Sequence, residues 1–172
     1  MRFLRRGLAA TALALAAAAA LVGVNAGTAN AASQMTVRLT PESNPFLTVE
    51  VRGASYDNFA TVDQWTVNGG SNQIWNFIPV GDAYKIVNAR SGKCLTTNGV
   101  AGATVYQVTC GSSDWMLWWT GLQPGNLTGY SIQSKASGFY LEVNGASGSQ
   151  GANIDTWYWN GGSHQFFLGT AA

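Results

Sequence analysis

The stretch VDQWTVNGGSNQIW, residues 62–75, recurs in the same chain as IDTWYWNGGSHQFF, residues 154–167. Both copies begin with an aliphatic residue and an aspartate, share an NGGS turn, and end with a glutamine followed two places later by an aromatic residue. A third copy, VYQVTCGSSDWMLW at residues 105–118, aligns with both without a gap. Self-similarity at a regular spacing indicates an architecture built from copies of one supersecondary unit.

The segments upstream of each copy repeat as well, in FLTVEVRGAS, GKCLTTNGVA and GFYLEVNGAS. All these segments are short, rich in Val, Ile, Thr, Tyr and Trp, and separated by Gly, Asn and Ser clusters, a pattern typical of β-strands. No window beyond the N-terminal region shows a sustained helical period, so little helix is expected. A short sheet repeat cannot cover its own apolar face, so three copies must close around a shared core. Three copies are too few for a propeller, and we predict a compact threefold barrel.

Residues 1–31 predict a bacterial secretory signal peptide. Three arginines precede a 17-residue apolar run, and an A-x-A cleavage site ends at Ala31. A membrane anchor is the alternative, but the run is short and mostly alanine. The adjacent Arg5 and Arg6 leave the export route, general secretory or twin-arginine, open. We therefore expect a secreted, extracellular protein whose single domain covers residues 32–172.

The part of the chain after this predicted signal contains six basic and eight acidic residues, a net charge of −2. Such a balance leaves no basic patch for nucleic acid or for an acidic membrane surface. The two cysteines suit an oxidising compartment. Taken alone they could form a disulfide, remain free thiols or bind a metal. The single histidine and the absence of a C-x-x-C motif disfavour a zinc site, so we expect neither a metal nor a cofactor.

The threefold repeat, its Q-x-W endings, and the K-C-L segment with a later cysteine in the middle copy resemble the ricin B-type lectin domain. This family is similar to the family 13 carbohydrate-binding modules, and the resemblance extends over residues 35–172. It implies an all-β fold, a β-trefoil of three pseudo-threefold repeats with four strands each. Six strands would form a short barrel and six would form hairpins that cap one end. We expect the repeats at about residues 33–79, 80–124 and 125–172.

The resemblance also implies a disulfide between Cys94 and Cys110. Closing a loop of this length contributes roughly 3 kcal/mol in the chain-entropy model. The closing aromatic residues of the three repeats, Trp75, Trp118 and Phe167, are interpreted as the centre of the core.

In the family, a sugar lies in a shallow pocket of one repeat. A carboxylate accepts hydrogen bonds from its hydroxyls, an aromatic ring covers its apolar C–H face, and an amide adds a polar contact. Carried over to the first repeat, these positions are Glu50, Asp63, Trp65, Asn72 and Gln73. In the third repeat they are Glu142, Asp155, Trp157, His164 and Gln165. The middle repeat has Thr96, Tyr106, Val108, Trp115 and Met116. It lacks the carboxylate, the ring platform and the amide, so we expect it not to bind.

Two features depart from the family pattern. The usual aspartate is a glutamate in both competent repeats, and Asp63 and Asp155 each add a second carboxylate. Such a pair would suit an amino sugar or a cation, unless one acid is protonated or turned away. His164 stands where the first repeat has an asparagine, so the two sites need not share a ligand or a pH response. For Gln73 and Gln165 a structural role is favoured over sugar contact.

We therefore predict a carbohydrate-binding protein that is not an enzyme, has no nucleic-acid partner and is a monomer. A glycoside hydrolase using the paired carboxylates is disfavoured, because the acids are duplicated at equal spacing in shallow pockets. No G-x-S-x-G, H-E-x-x-H or Walker motif is present. The remaining alternative is a trefoil that binds or inhibits a protein such as a protease. It would not require Glu, Asp and Trp to match between the first and third repeats.

Overall fold

The computed structural model describes residues 33–121 and 127–172, and the predicted signal peptide lies outside these residues. This part of the chain is built from β-strands and single-turn 3-10 helices. The twelve strands of the described residues are β1 (Met35–Pro41), β2 (Leu47–Val51), β3 (Val62–Thr66), β4 (Trp75–Val80), β5 (Ala83–Asn88), β6 (Cys94–Thr96), β7 (Tyr106–Val108), β8 (Leu117–Thr120), β9 (Ile132–Ser134), β10 (Tyr140–Val143), β11 (Ile154–Trp157) and β12 (Phe167–Ala171). The 3-10 helices are Arg52–Ala54, Ser71–Gln73, Asp114–Met116, Asn144–Ala146 and Ser163–Gln165. In the described ranges no helix has the length and apolar character needed to cross a membrane.

Six strands form the barrel. They pair in the order β12-β1-β4-β5-β8-β9, and a bridge between Tyr130 and Phe167 closes the circuit. The other six form the antiparallel hairpins β2–β3, β6–β7 and β10–β11, one in each repeat. The all-β, β-trefoil prediction is thus confirmed.

The core centres on the three closing aromatic residues. Trp75, Trp118 and Phe167 are fully buried. Each tryptophan also donates its indole N–H to the hairpin of its own repeat, Trp75 to the Val49 carbonyl at 3.0 Å and Trp118 to the Leu95 carbonyl at 3.1 Å. Because a buried indole N–H needs an acceptor, these bonds fix the orientation of the first two hairpins on the barrel.

The hairpins meet around the threefold axis through one equivalent position per repeat. Gln64 Nε2 donates to the carbonyls of Ser147 and Ser149 in the third repeat, both at 2.8 Å. Gln107 makes the corresponding contacts with a loop of the first repeat. The third position is Thr156, whose hydroxyl lies 3.1 Å from that of Thr97. The middle repeat has the shorter loop here, so a short side chain suffices where the other junctions need a glutamine.

The disulfide predicted in the middle repeat is present. It joins Cys94, the first residue of β6, to Cys110, which lies just after β7. The bridge ties together the two ends of the β6–β7 hairpin.

Candidate functional site

The first repeat carries an open cavity of about 590 Å³ beside the β2–β3 hairpin. Four of the five residues predicted for this site line it, namely Glu50, Asp63, Trp65 and Asn72. The fifth, Gln73, is fully buried. The cavity therefore brings together both carboxylates, the aromatic ring and one amide, and it leaves the second amide out of reach of a ligand.

Strand pairing brings the two carboxylates together. Glu50 on β2 lies directly opposite Asp63 on β3. Trp65 follows Asp63 by two residues, so it lies on the same side of the strand. Asp63 and Trp65 line the cavity, and Val62 and Gln64, expected to face the other way, do not. The alternation inferred from the sequence is confirmed for this strand.

Gln73 supports the pocket from behind. Its Nε2 donates to Glu50 Oε2 at 2.7 Å and to the Thr66 carbonyl at 2.9 Å. Its Oε1 accepts from the backbone N–H of Asn68 at 3.0 Å. Because both polar atoms of this buried amide are used within the protein, the glutamine orients the carboxylate of Glu50.

Arg52 places a positive charge beside Asp63, and this residue was not predicted from the sequence. Its Nε donates to Asp63 Oδ2 at 2.8 Å, and its Nη2 donates to the Gly151 carbonyl at 3.1 Å and to Asn153 Oδ1 at 2.7 Å. Since Gly151 and Asn153 belong to the third repeat, this side chain also joins two repeats. A signal was available in the sequence, because a two-residue spacing from Glu50 places Arg52 next to the pocket.

The ring of Trp65 packs against the same neighbouring loop. Gly151 has a φ of +79°, and a Cβ at this position would lie 3.4 Å from Trp65 Cζ3. Glycine accepts this backbone conformation and allows the close approach of the ring. One side of the ring is thus supported while 37% of the residue stays exposed. An exposed, supported ring can cover the apolar face of a ligand.

Burial raises the pKa of both carboxyls in this pocket. For Glu50, loss of hydration is the largest cause, and the hydrogen bond from Gln73 acts in the opposite direction. For Asp63, burial again dominates, and the hydrogen bond and charge of Arg52 lower the pKa. The Oδ1 atom of Asp63 is buried and has no hydrogen-bond partner among the described residues. Arg52 is therefore the main group that favours the ionised form of Asp63.

The third repeat builds the same framework. Glu142 lies opposite Asp155 in the β10–β11 hairpin. Gln165 Nε2 donates to Glu142 Oε2 at 2.7 Å and to the Tyr158 carbonyl at 2.8 Å. Gln165 Oε1 accepts from the backbone N–H of Asn160 at 2.9 Å. Both predicted glutamines thus hold a glutamate in place.

The groups around this second framework differ. Asn144 stands in place of Arg52 and donates to Asp155 Oδ2 at 2.6 Å. Burial raises the pKa of Glu142 and of Asp155. His164 stands in place of Asn72, and its Nε2 lies 3.5 Å from Glu142 Oε2. The third site therefore has a neutral amide beside its aspartate where the first has the guanidinium of Arg52, and a histidine beside its glutamate where the first has Asn72.

Trp157 is supported like its counterpart. It is 40% exposed. Gly102 of the middle repeat has a φ of +79°, and a Cβ there would lie 3.0 Å from Trp157 Cζ3. The structure therefore brings together the predicted residues of the third repeat around one hairpin, with Gln165 buried behind them. Across the described ranges, no group of three or more His, Cys, Asp or Glu side chains is arranged to hold a metal ion.

A protein-family model described as ricin-type beta-trefoil lectin domain-like matches residues 27–108 and 111–172. The chain belongs to this family. A comparison with curated proteins gave no match.

Several solved structures are also similar to this lectin-like domain. The designed threefold-symmetric protein ThreeFoil matches with a TM-score of 0.73 at 30% sequence identity, over 80% of this chain and 99% of ThreeFoil. An exo-beta-1,3-galactanase from Clostridium thermocellum matches with a TM-score of 0.74 at 27% identity, over 80% of this chain and 30% of the enzyme. A ricin B-like lectin from Macrolepiota procera, solved with lactose, has a TM-score of 0.67 at 19% identity, over 80% of this chain and 96% of that lectin. The last likeness shows the fold alone.

The middle repeat of the lectin-like domain has a smaller cavity of about 380 Å³. Its lining includes the five positions aligned with the other sites, Thr96, Tyr106, Val108, Trp115 and Met116. None of the described residues that line it has a carboxylate. Met116 Sδ accepts a hydrogen bond from the backbone N–H of Gly111 at 3.2 Å. The methionine thus replaces the glutamine as an acceptor. Methionine has no N–H group to donate, and the middle repeat has no glutamate that would accept such a hydrogen bond.

Phe59 accounts for a further difference between the middle repeat and the other two, and it was not predicted from the sequence. It occupies the position of Gly102 and Gly151, with a φ of +68° that bulky residues rarely adopt. Its backbone N–H donates to the Gln107 carbonyl at 2.7 Å, and its ring lies 5.6 Å from that of Tyr106. At this position a loop of the first repeat therefore supplies an aromatic ring beside Tyr106, where the other two neighbouring loops have a glycine beneath a tryptophan.

Proposed function

We propose that this chain is a secreted lectin that binds glycans or polysaccharide through the pockets of its first and third repeats. The proposed ligand-contacting residues are Glu50, Asp63, Trp65 and Asn72 in the first repeat, and Glu142, Asp155, Trp157 and His164 in the third. The observation that carries the proposal is the duplication of one arrangement. In both repeats a buried glutamine donates at 2.7 Å to a glutamate beside a supported, exposed tryptophan.

This arrangement matches the chemistry of a pyranose. Its hydroxyl groups point in fixed directions and suit charge-assisted bonds to carboxylate oxygens. Its C–H face suits an aromatic ring. Two separate pockets of this kind on one small domain favour avidity on a repeating polymer or a glycan-coated surface.

The proposed location rests on the N-terminal sequence. Residues 1–31 have the arginines, apolar run and A-x-A site of a secretory signal, and the disulfide is the kind of bond that persists outside the cytoplasm. The family relationship supports sugar binding. The galactanase relative makes β-1,3-galactan a first polysaccharide to test, although the chain covers only 30% of that enzyme.

Catalysis is not part of the proposal. The carboxyls that would perform it are held by other groups, Glu50 by Gln73 and Asp63 by Arg52.

The test is a glycan array supplemented with immobilised β-1,3-galactan, xylan and chitosan. We compare the wild type with Trp65→Ala, Trp157→Ala and the double variant. Each single variant should lower the apparent affinity about tenfold or more, and the double variant should lose binding, because each ring anchors one pocket. Trp115→Ala is the matched control, since Trp115 is similarly exposed in the middle repeat. It should bind like the wild type. Absence of binding by the wild type, or full binding by a folded double variant, would refute the proposal.

A further inference from the structure

The third repeat carries an aromatic surface that extends beyond its pocket. Trp157, Tyr158 and Trp159 follow one another in the chain and are 40%, 61% and 47% exposed. We call these three residues the aromatic strip. Exposed apolar surface of this extent on a small domain commonly marks a binding site.

The rings of the strip are held by partly buried aromatic residues. Tyr158 lies 4.8 Å from Phe139, and Trp159 lies 4.8 Å from Tyr140, between ring centroids. Trp159 also contacts Phe166, at 5.3 Å. Edge-to-face and tilted contacts at these distances restrict ring motion. A ligand that binds on the strip therefore loses little free energy in ordering it.

The strip is continuous with the candidate site around Glu142 and Asp155 in the same repeat. Trp157 belongs to both, and its ring lies 5.8 Å from that of Tyr158. On the neighbouring strand, Tyr140 is paired with Trp157 and its ring contacts Trp159. The aromatic surface thus leads away from Glu142 and Asp155 along the hairpin. Two residues of extended chain span roughly 6.5 Å, which is comparable with one pyranose unit.

In the first repeat the tryptophan of the site is not followed by two aromatic residues. The residues after Trp65 are Thr66 and Val67, in the positions of Tyr158 and Trp159. The hydroxyl of Thr66 is bonded to Gln150 of the third repeat. The two repeats therefore share the pocket and differ in what surrounds it.

We infer that the third repeat binds a polysaccharide chain over at least two adjacent sugar units, one in the pocket and the next on Tyr158 and Trp159, whereas the first repeat binds a single unit. The inference rests on the proposed function and specifies the ligand of the third site. A sugar chain fits the strip because successive units repeat both the apolar C–H face and the hydroxyl groups. The rings offer the matching apolar faces, and the Tyr hydroxyl and Trp N–H groups offer polar tips.

The test measures how affinity depends on chain length. Oligosaccharides of one to four units, built from galactose, glucose, xylose or N-acetylglucosamine, are titrated into the wild type and into Tyr158→Thr/Trp159→Val. This double variant gives the third repeat the residues of the first. The wild type should bind the longer members of one series at least about tenfold more tightly than the monosaccharide, and the variant should lose most of this gain.

Two controls separate the possible outcomes. Phe46→Ser removes an aromatic residue that is 81% exposed and should leave the chain-length gain unchanged. Thermal unfolding verifies that each variant is folded. If the variant keeps the full gain, the inference is wrong while the proposed function stands. If no saccharide of any length binds the wild type, both are wrong. If the wild type forms a dimer that the variant does not, the strip is an interface between copies, which also overturns the inference.

Discussion

The hairpins of the first and third repeats hold equivalent pairs of carboxylates, Glu50 with Asp63 and Glu142 with Asp155, in different electrostatic surroundings. In the first, the guanidinium of Arg52 lies 2.8 Å from Asp63. In the third, the neutral amide of Asn144 takes that place beside Asp155, and the basic group, His164, lies instead next to Glu142. The framework of the site is therefore shared by the two repeats, and the cation beside the aspartate is not.

The middle repeat shows which parts of the framework depend on each other. It has Thr96 where the others have glutamate, and Met116 where they have glutamine. Met116 still accepts a backbone N–H, as the glutamines do. Only the donor function has been lost, together with the carboxylate that it served. We conclude that the glutamine is needed chiefly because the glutamate is buried.

The largest effect is expected from giving the first site the methionine that the middle repeat has in place of the glutamine. Gln73→Met removes two hydrogen bonds and leaves Glu50 without its internal donor. The free energy of unfolding should fall by about 2 kcal/mol, as when a buried donor is lost and its acceptors stay unpaired. Chemical denaturation at neutral pH measures the change.

The double variant Glu50→Thr/Gln73→Met tests the reason for this loss. Since it reproduces the middle repeat, it should be less destabilised than the sum of the two single variants, by about 1 kcal/mol or more. Simple additivity would mean that the two residues are not coupled, contrary to our account.

A smaller effect is expected from exchanging the partner of the aspartate. Arg52→Asn gives the first pocket the residue of the third and removes the cation beside Asp63. Because the guanidinium is half-exposed, the expected loss is about 1 kcal/mol, together with a rise in the pKa of Asp63. Denaturation measures the first, and NMR titration of the Asp63 carboxyl measures the second. An unchanged pKa would show that Arg52 does not balance this charge.

The smallest effect concerns pH. A carboxyl whose pKa is higher in the folded state binds its proton more tightly there, so stability falls as the pH rises from the unfolded value, 3.8 for aspartate, through the folded value. Asp155 is such a group because it is buried and has only a neutral amide as its direct donor. Asp155→Asn removes this dependence. The stability of the variant relative to the wild type should therefore improve between about pH 3 and pH 7.

The measurement is a set of denaturation curves across that pH range. Arg52→Asn serves as the comparison, because removing the cation should strengthen the pH dependence that comes from Asp63. A difference between Asp155→Asn and the wild type that does not vary with pH would contradict the burial argument.

The residues within each repeat were predictable from the sequence, because alignment of the three copies reveals register and core positions, and the resemblance to the lectin family adds the candidate site positions. Trp75, Glu50 and Trp65 are examples. Contacts between repeats were not predictable in this way. Gly151 beneath Trp65 and Phe59 beside Tyr106 come from neighbouring repeats, and only the threefold closure of the barrel brings them to the pockets.

Arg52 was missed for a related reason. It is not part of the family pattern that gave the other site residues, and its counterpart in the third repeat is Asn144, so the comparison of copies did not point to it either. Self-similarity detects what the repeats share. The features that distinguish the two pockets, including the aromatic strip, are the ones that it leaves out.

The central claim is that two of the three repeats bind a sugar. Isothermal titration calorimetry with the strongest-binding glycan of the array tests it most directly, through the number of sites per chain. The account predicts close to two sites for the wild type, one for Trp65→Ala and one for Trp157→Ala, with Trp115→Ala still at two. A single site in the wild type, or a third site that is lost with Trp115→Ala, would contradict it.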